Sequence, residues 1–127
     1  MSSIKSETIN DLDLTIHTCF GEISAEEMVK TMIDFYKGTP TSLVIWNFTY
    51  SSLKKISGDE VYQIVHETKK HEHLRPYGKT ALVFDKLSDY GIGRMIEIIS
   101  EVSSIKIDFQ PFRDLPSAYS WLKINRK

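Results

Sequence analysis

Cysteine is almost missing from this chain: Cys19 is the only one in 127 residues. An intrachain disulfide is therefore excluded, and a reducing compartment is the natural setting. A domain of this length can bury roughly two-thirds of its unfolded surface without one. Also missing is any apolar run approaching the ~20 residues of a membrane-spanning helix. The opening stretch M-S-S-I-K-S-E-T has no apolar leader core, so a cytoplasmic location is expected. Neither sign of charge is in excess, with 16 Lys and Arg against 17 Asp and Glu and a formal net charge of −1. General nucleic-acid binding rests on clustered positive charge, and that class is set aside. Linkers, repeats and low-complexity tracts are absent too, so residues 1–127 are expected to form one domain.

What is present is organised around Thr41–Glu60. In Ser42–Phe48 both alternating sets of side chains are apolar: Leu43 and Ile45 on one, Val44, Trp46 and Phe48 on the other. Such a strand must be covered on both faces, which marks the middle of an α/β sheet. Lys79–Asp85 repeats the pattern with Ala81, Leu82, Val83 and Phe84. Upstream, Ile4–Asn10 and Leu12–Phe20 flank a polar turn at Asn10-Asp11 and read as an antiparallel hairpin, broken by Gly21. Its second strand alternates Leu12, Leu14, Ile16 with Asp13, Thr15, His17, the pattern of a half-buried strand.

Helices are expected between and after these strands. Ser24-x-x-Glu27 and Ser57-x-x-Glu60 are capping boxes, in which each side chain satisfies a backbone N–H left orphaned at a helix start. Met28, Val29, Met32, Ile33 and Tyr36 form the first apolar stripe, ended by Gly38 and Pro40; Val61, Ile64, Val65 and Thr68 form the second, ended near Arg75-Pro76-Tyr77-Gly78. A third helix is expected to open at Gly91-Ile92-Gly93-Arg94 after a polar loop at Asp85–Tyr90, burying Ile92, Met95, Ile96, Ile99 and Val102. Ile105–Gln110 alternates as an edge strand stopped by Pro111, and Asp114 caps a last helix over Leu115–Lys123. The order β-β-α-β-α-β-α-β-α predicts a three-layer α/β domain, with four helices on a five-stranded, mostly parallel mixed sheet.

In this order the chain resembles the SpoIIAA-like, or STAS-like, family of small α/β domains. The resemblance runs over the whole chain. It is carried by Phe20-Gly21 with the Ser-capped helix, Trp46-Asn47-Phe48, Gly78-Lys79-Thr80-Ala81-Leu82-Val83, Gly91-x-x-Arg94-Met95, Phe112-Arg113 and Ala118-x-x-Trp121-Leu122. It implies a SpoIIAA-like fold and a non-catalytic regulatory or protein-interaction role. Classical members of the wider superfamily are switches phosphorylated on a serine before a glycine, in an Asp-Ser-Ser-Gly loop. Ser57-Gly58 stands at about that place, but the loop here reads Lys55-Ile56-Ser57-Gly58, without the Asp and the first Ser. The related CRAL-TRIO group carries apolar lipids between sheet and helices, and the alternative role is therefore a small apolar-ligand or lipid carrier.

Ligands and partners of open α/β sheets usually bind beyond the carboxyl ends of the strands. The working surface is thus expected from Thr49–Gly58 and Tyr77–Arg94, with Ser57, Gly58, Tyr50 and Ser52 as the switch or interaction segment. Arg94, Lys79 and Trp46 are the candidate anion or ligand anchors. A phosphate on Ser57 would meet free N–H groups at a helix start, while capping alone already accounts for Glu60. Gly91-Ile92-Gly93 lacks the third glycine of a dinucleotide loop, Ile96 standing in its place. His66-Glu67-x-x-Lys70 lacks the second histidine of a zincin motif, so no metal is expected from it. No cofactor motif, and no Ser-His-Asp set with a nucleophile elbow, is present. Cys19 is expected to pack as a small hydrophobe. The expected partner is another protein or a second copy of the chain, since cyclic pairs are the commonest assemblies.

Overall fold

A computed structural model describes residues 2–124. Nine elements follow in the expected order: β1 (Ser3–Ile9), β2 (Leu14–Glu22), α1 (Ala25–Lys37), β3 (Leu43–Ser52), α2 (Gly58–His71), β4 (Lys79–Val83), α3 (Leu87–Val102), β5 (Asp108–Phe112) and α4 (Leu115–Leu122). Short 3-10 turns at Asn10–Leu12 and Glu72–Leu74 complete the path. The sheet order is β1-β2-β3-β4-β5; β1 runs antiparallel to β2 and every other pair is parallel. The central strand is therefore β3, as its two apolar faces require.

Those two faces build separate cores. Val44, Trp46 and Phe48, with Leu82 of β4 and Phe84 just after it, pack against Met28 and Met32 of α1, Val61, Ile64 and Val65 of α2, and Ile96 of α3. On the opposite face Ile45, Ala81 and Val83 join Leu14 and Ile16 under Ala118 and Leu122 of α4. Three helices thus cover one side and α4 the other, giving three unequal layers. Phe48 and Phe84 are fully buried and stacked, with ring centroids 5.1 Å apart. Burial of a side chain of this size contributes about 1.5–3 kcal/mol.

Several boundaries differ from those the pattern predicts. β2 is buried on both faces: Thr15 and His17 are buried along with Leu14 and Ile16. Paired on both edges, its first half has no wet face, while Thr18 and residues 20–22 are half-buried. Gly21 lies inside β2, with φ of 80°, and β3 runs on through Thr49–Ser52, shortening the loop before α2. α3 starts at Leu87, so Gly91-Ile92-Gly93-Arg94 is helix interior and opens nothing. Its buried side is Asp89, Gly93, Ile96 and Ser100, whereas Met95 and Val102 face outward. Pro111 lies within β5 opposite Leu82; its missing N–H is tolerable because β5 is an edge strand.

Candidate functional site

At the carboxyl end of the sheet, β3 delivers Tyr50 and Ser52 to the surface. Tyr50 is 65 % exposed and stacks on Phe20, its partner in β2, at 5.6 Å. The turn that follows is held from three sides. The Ile23 N–H donates to the Ser52 carbonyl at 3.0 Å, Lys86 Nζ donates to the Ser51 carbonyl at 2.8 Å, and the Leu53 N–H donates to Asp89 Oδ1 at 3.2 Å. Lys54 and Lys55 both reach Glu22, at 2.8 and 3.1 Å, and Lys54 first, then Lys55, holds its carboxyl below the usual range. Ser57 then caps α2. Its Oγ accepts from the Glu60 N–H at 3.2 Å, and the Ser57 N–H donates to Glu60 Oε1 at 2.9 Å.

Asp89 is the buried carboxylate of this end, in the first turn of α3, where the helix dipole favours negative charge. Its Oδ2 is buried and has no hydrogen-bond partner among the described residues. Sequence pattern offered no sign of this, because a helix was expected to begin only beyond it.

The candidate anchors do not converge. Lys79 opens β4 beside Leu43 and Asp108, at the amino end of the parallel strands, and its Nζ lies 5.3 Å from the centroid of the Trp121 ring. Arg94 belongs to the second turn of α3, past the opposite end of β4, and pairs with Glu97 at 2.8 Å rather than with an anion at a helix start. Trp46 is buried between His17, at 4.4 Å, and Phe48, at 5.9 Å. Its face is filled by protein. Tyr77, although 95 % exposed, likewise belongs to the amino end, in the turn before β4.

That amino end holds a polar network invisible to local pattern. Arg75, 3 % exposed, donates from Nε to the Thr41 carbonyl at 2.8 Å and from Nη1 to Thr80 Oγ1 at 3.0 Å. From Nη2 it donates to the carbonyls of Ser42 and Lys79, at 2.9 and 3.0 Å. Burial lowers its pKa, with Tyr36 opposing the shift. His17 is nearby; burial first, and Arg75 second, bring its pKa down to about 4. Its Nδ1 lies 2.7 Å from Ser6 Oγ. The hairpin register pairs Ser6 with His17, so this contact is implicit in the turn length. A base this weak accepts a serine proton poorly at neutral pH, and the pair reads as structural polar bonding. Cys19 is buried, and its thiol is pushed up to about 12 by burial and then by Glu27, far from the thiolate a nucleophile requires.

Three concave features bear on ligand binding. Between sheet, α1 and α2, the space bordered by His17, Met32, Trp46 and Arg75 measures about 20 Å³, room for about one water molecule. A polar groove of about 430 Å³ runs between β1 and α1 past Ser6, Thr8, Thr31 and Asp34. On the outside, a groove of about 310 Å³ separates α2 from α3, lined by Tyr62, Val65, His66, Lys69, Ile99 and Ser103. Lys69 Nζ crosses it to the carbonyls of Ser103 and Ser104, at 3.2 and 3.3 Å, and on the outer surfaces of the same two helices Tyr62 is 61 % exposed, Ile98 50 % and Val102 81 %. Among the described residues no three His, Cys, Asp or Glu side chains gather as metal ligands, and no helix is long and apolar enough to cross a membrane.

No protein-family model and no curated protein matches the sequence. A solved structure does match in shape: an uncharacterised protein of the DUF3478 family, with a SpoIIAA-like fold, from Shewanella loihica PV-4. The TM-score is 0.60 at 16% identity, over 95% of this chain and 93% of that one. The fold is SpoIIAA-like. At that identity the likeness carries the architecture alone, and the SpoIIAA-like neighbour, being uncharacterised, brings no activity with it.

Proposed function

We propose that this SpoIIAA-like domain is a non-catalytic regulatory or protein-interaction module of STAS-like type. The observation that carries this is the contrast between a filled interior and an uncovered apolar strip. The interior void is far below the roughly 300 Å³ at which small-molecule sites begin, and Met32 and Trp46, which would line a carrier cavity, are packed against protein. Outside, Tyr62, Met95, Ile98 and Val102 stand exposed along α2 and α3, a face no packing need of this domain explains. Another protein's apolar segment fits the groove between these helices, in the manner of helix-in-groove recognition. The surface is adjacent to the switch candidate: a Cβ on Gly58 would stand 3.9 Å from Met95 Cε. A phosphate on exposed Ser57 would take up the Oγ that accepts from the Glu60 N–H and would stand against the Glu60 carboxylate, which accepts from the Ser57 N–H; like-charge repulsion there would loosen the capping box beside the strip.

Native mass spectrometry of the protein purified from its own cells tests the reading. Wild type is expected with a bound partner protein. Ile98→Glu/Val102→Glu should lose it while keeping a melting temperature within about 2 °C, as exposed substitutions away from special features do. Ser57→Ala should cost about 1 kcal/mol through the cap, and a phosphate found on wild-type Ser57 would add the switch. A retained apolar small molecule, or a partner that survives the double substitution, would overturn the proposal.

A further inference from the structure

The two edges of the sheet are built differently. β5 is five residues long and carries Pro111, which cannot donate to a further strand. β1 is seven residues long, has no proline, and among the described residues hydrogen-bonds through its backbone to β2 alone. The outward half of its N–H and C=O groups is a template for one more strand. Lys5 and Glu7 project from the same face of β1, the face of Ile9 and Ile16, both are exposed, and neither joins an ion pair among the described residues.

We infer that β1 pairs antiparallel with β1 of a second copy, joining two five-stranded sheets into one through a two-fold axis at Ser6. The register follows from charge. An antiparallel pair related by a two-fold axis perpendicular to the sheet must be centred on a residue, and Ser6 is the midpoint of Ser3–Ile9. Centring there gives full overlap: Ser3 faces Ile9 of the copy, Ile4 faces Thr8, and Lys5 faces Glu7, twice. Slipping the centre to residue 5 sets Lys5 against Lys5; slipping it to residue 7 sets Glu7 against Glu7. Opposite charges directly across a strand pair attract and like charges repel, so the longest overlap is also the one the charges select. An isolated lysine on an edge deters pairing; here its neighbour on the same face turns it into half of a self-complementary set. The isologous geometry is that of the commonest oligomers. This inference does not rest on the proposed function, which uses α2 and α3.

Sedimentation velocity over a concentration series tests it. Wild type is expected to dimerise, and Lys5→Glu and Glu7→Lys should each weaken the dimer on the order of tenfold or more, since two attractive pairs become repulsive. Three further results are diagnostic: the double exchange Lys5→Glu/Glu7→Lys should dimerise again, an equimolar mixture of the two single variants should form a heterodimer, and circular dichroism should show all variants folded. A wild type that stays monomeric, or single variants that dimerise as wild type does, would overturn the inference. So would a mixture that fails to pair.

Discussion

Gly91 and Gly93 sit two residues apart in α3, yet alanine at the two positions is expected to act with opposite sign. Gly91 is exposed, and a Cβ there meets nothing within 4 Å. Gly91→Ala should therefore gain the helix-propensity difference and the reduced freedom of the unfolded chain, about 0.5–1 kcal/mol. At Gly93 a Cβ would overlap Phe84 Cε2 and stand 2.8 Å from its Cζ and 3.1 Å from Pro111 Cβ. Phe84 is fully buried and stacked on Phe48, so its ring cannot step aside without disturbing the central strand. Overpacking of this kind costs roughly 1–3 kcal/mol; subtracting the same helix gain at the middle of both ranges leaves Gly93→Ala less stable by about 1 kcal/mol. Urea unfolding of both variants measures this as shifts of midpoint at unchanged slope, upward for Gly91→Ala and downward for Gly93→Ala. Two downward shifts would mean that both glycines serve a turn and that α3 does not begin at Leu87. Two upward shifts would mean that α3 is not seated on Phe84 as described.

Two further outcomes are expected. His17 is protonated near pH 6.5 when unfolded but only near pH 4 when folded, so across that window the unfolded chain takes up a proton that the folded one refuses. Its contribution is fully present above pH 6.5 and falls as pH drops, by about 3 kcal/mol at pH 4 and below; equilibrium unfolding should show a shallower fall in His17→Gln, and equal slopes would refute the assignment. Arg75→Lys should lose on the order of 3 kcal/mol, because one ammonium cannot span the acceptors on Thr41, Ser42, Lys79 and Thr80; a urea midpoint corresponding to a loss below about 1 kcal/mol would show the network to be dispensable.

The core was legible in the sequence wherever burial and apolarity coincide. β3 and β4 read correctly because both of their faces are covered, and α1 and α2 because each begins with a complete capping box. α3 was misread for two physical reasons. Its N-cap, Lys86, makes no side-chain cap bond, so no start signal exists at Leu87. Its seated face includes Gly93, small enough to let Phe84 fill the space, and the buried polar residues Asp89 and Ser100, while Met95, Ile98 and Val102 are turned outward. Apolar periodicity therefore placed Ile96 in the core and Ile92 and Ile99 against it, but failed at Met95 and Val102. The site fared less well. Lys79 and Arg94 are near in sequence but flank a parallel strand and a helix, so they end at different places. Arg75 reaches groups more than thirty positions upstream, which no local pattern can announce.

The two ends of the sheet also differ in how their polar groups are closed. At the amino end Thr15 and Thr41 share a hydroxyl contact of 2.9 Å, Thr41 donates on to the Leu43 carbonyl, and Arg75 bridges the loop before β3 to the start of β4. A buried network with its donors used fixes geometry and offers nothing to a newcomer. At the carboxyl end Asp89 keeps one oxygen unpartnered among the described residues, and an unmet buried acceptor costs about 1–3 kcal/mol. That cost is borne where the β3–α2 loop, the cap at Ser57 and the start of α3 meet, beside Met95. Ser100 Oγ, further along α3, is the other buried side-chain atom without a partner among the described residues, so both open polar atoms belong to the helix that also carries Met95, Ile98 and Val102 on its outer side.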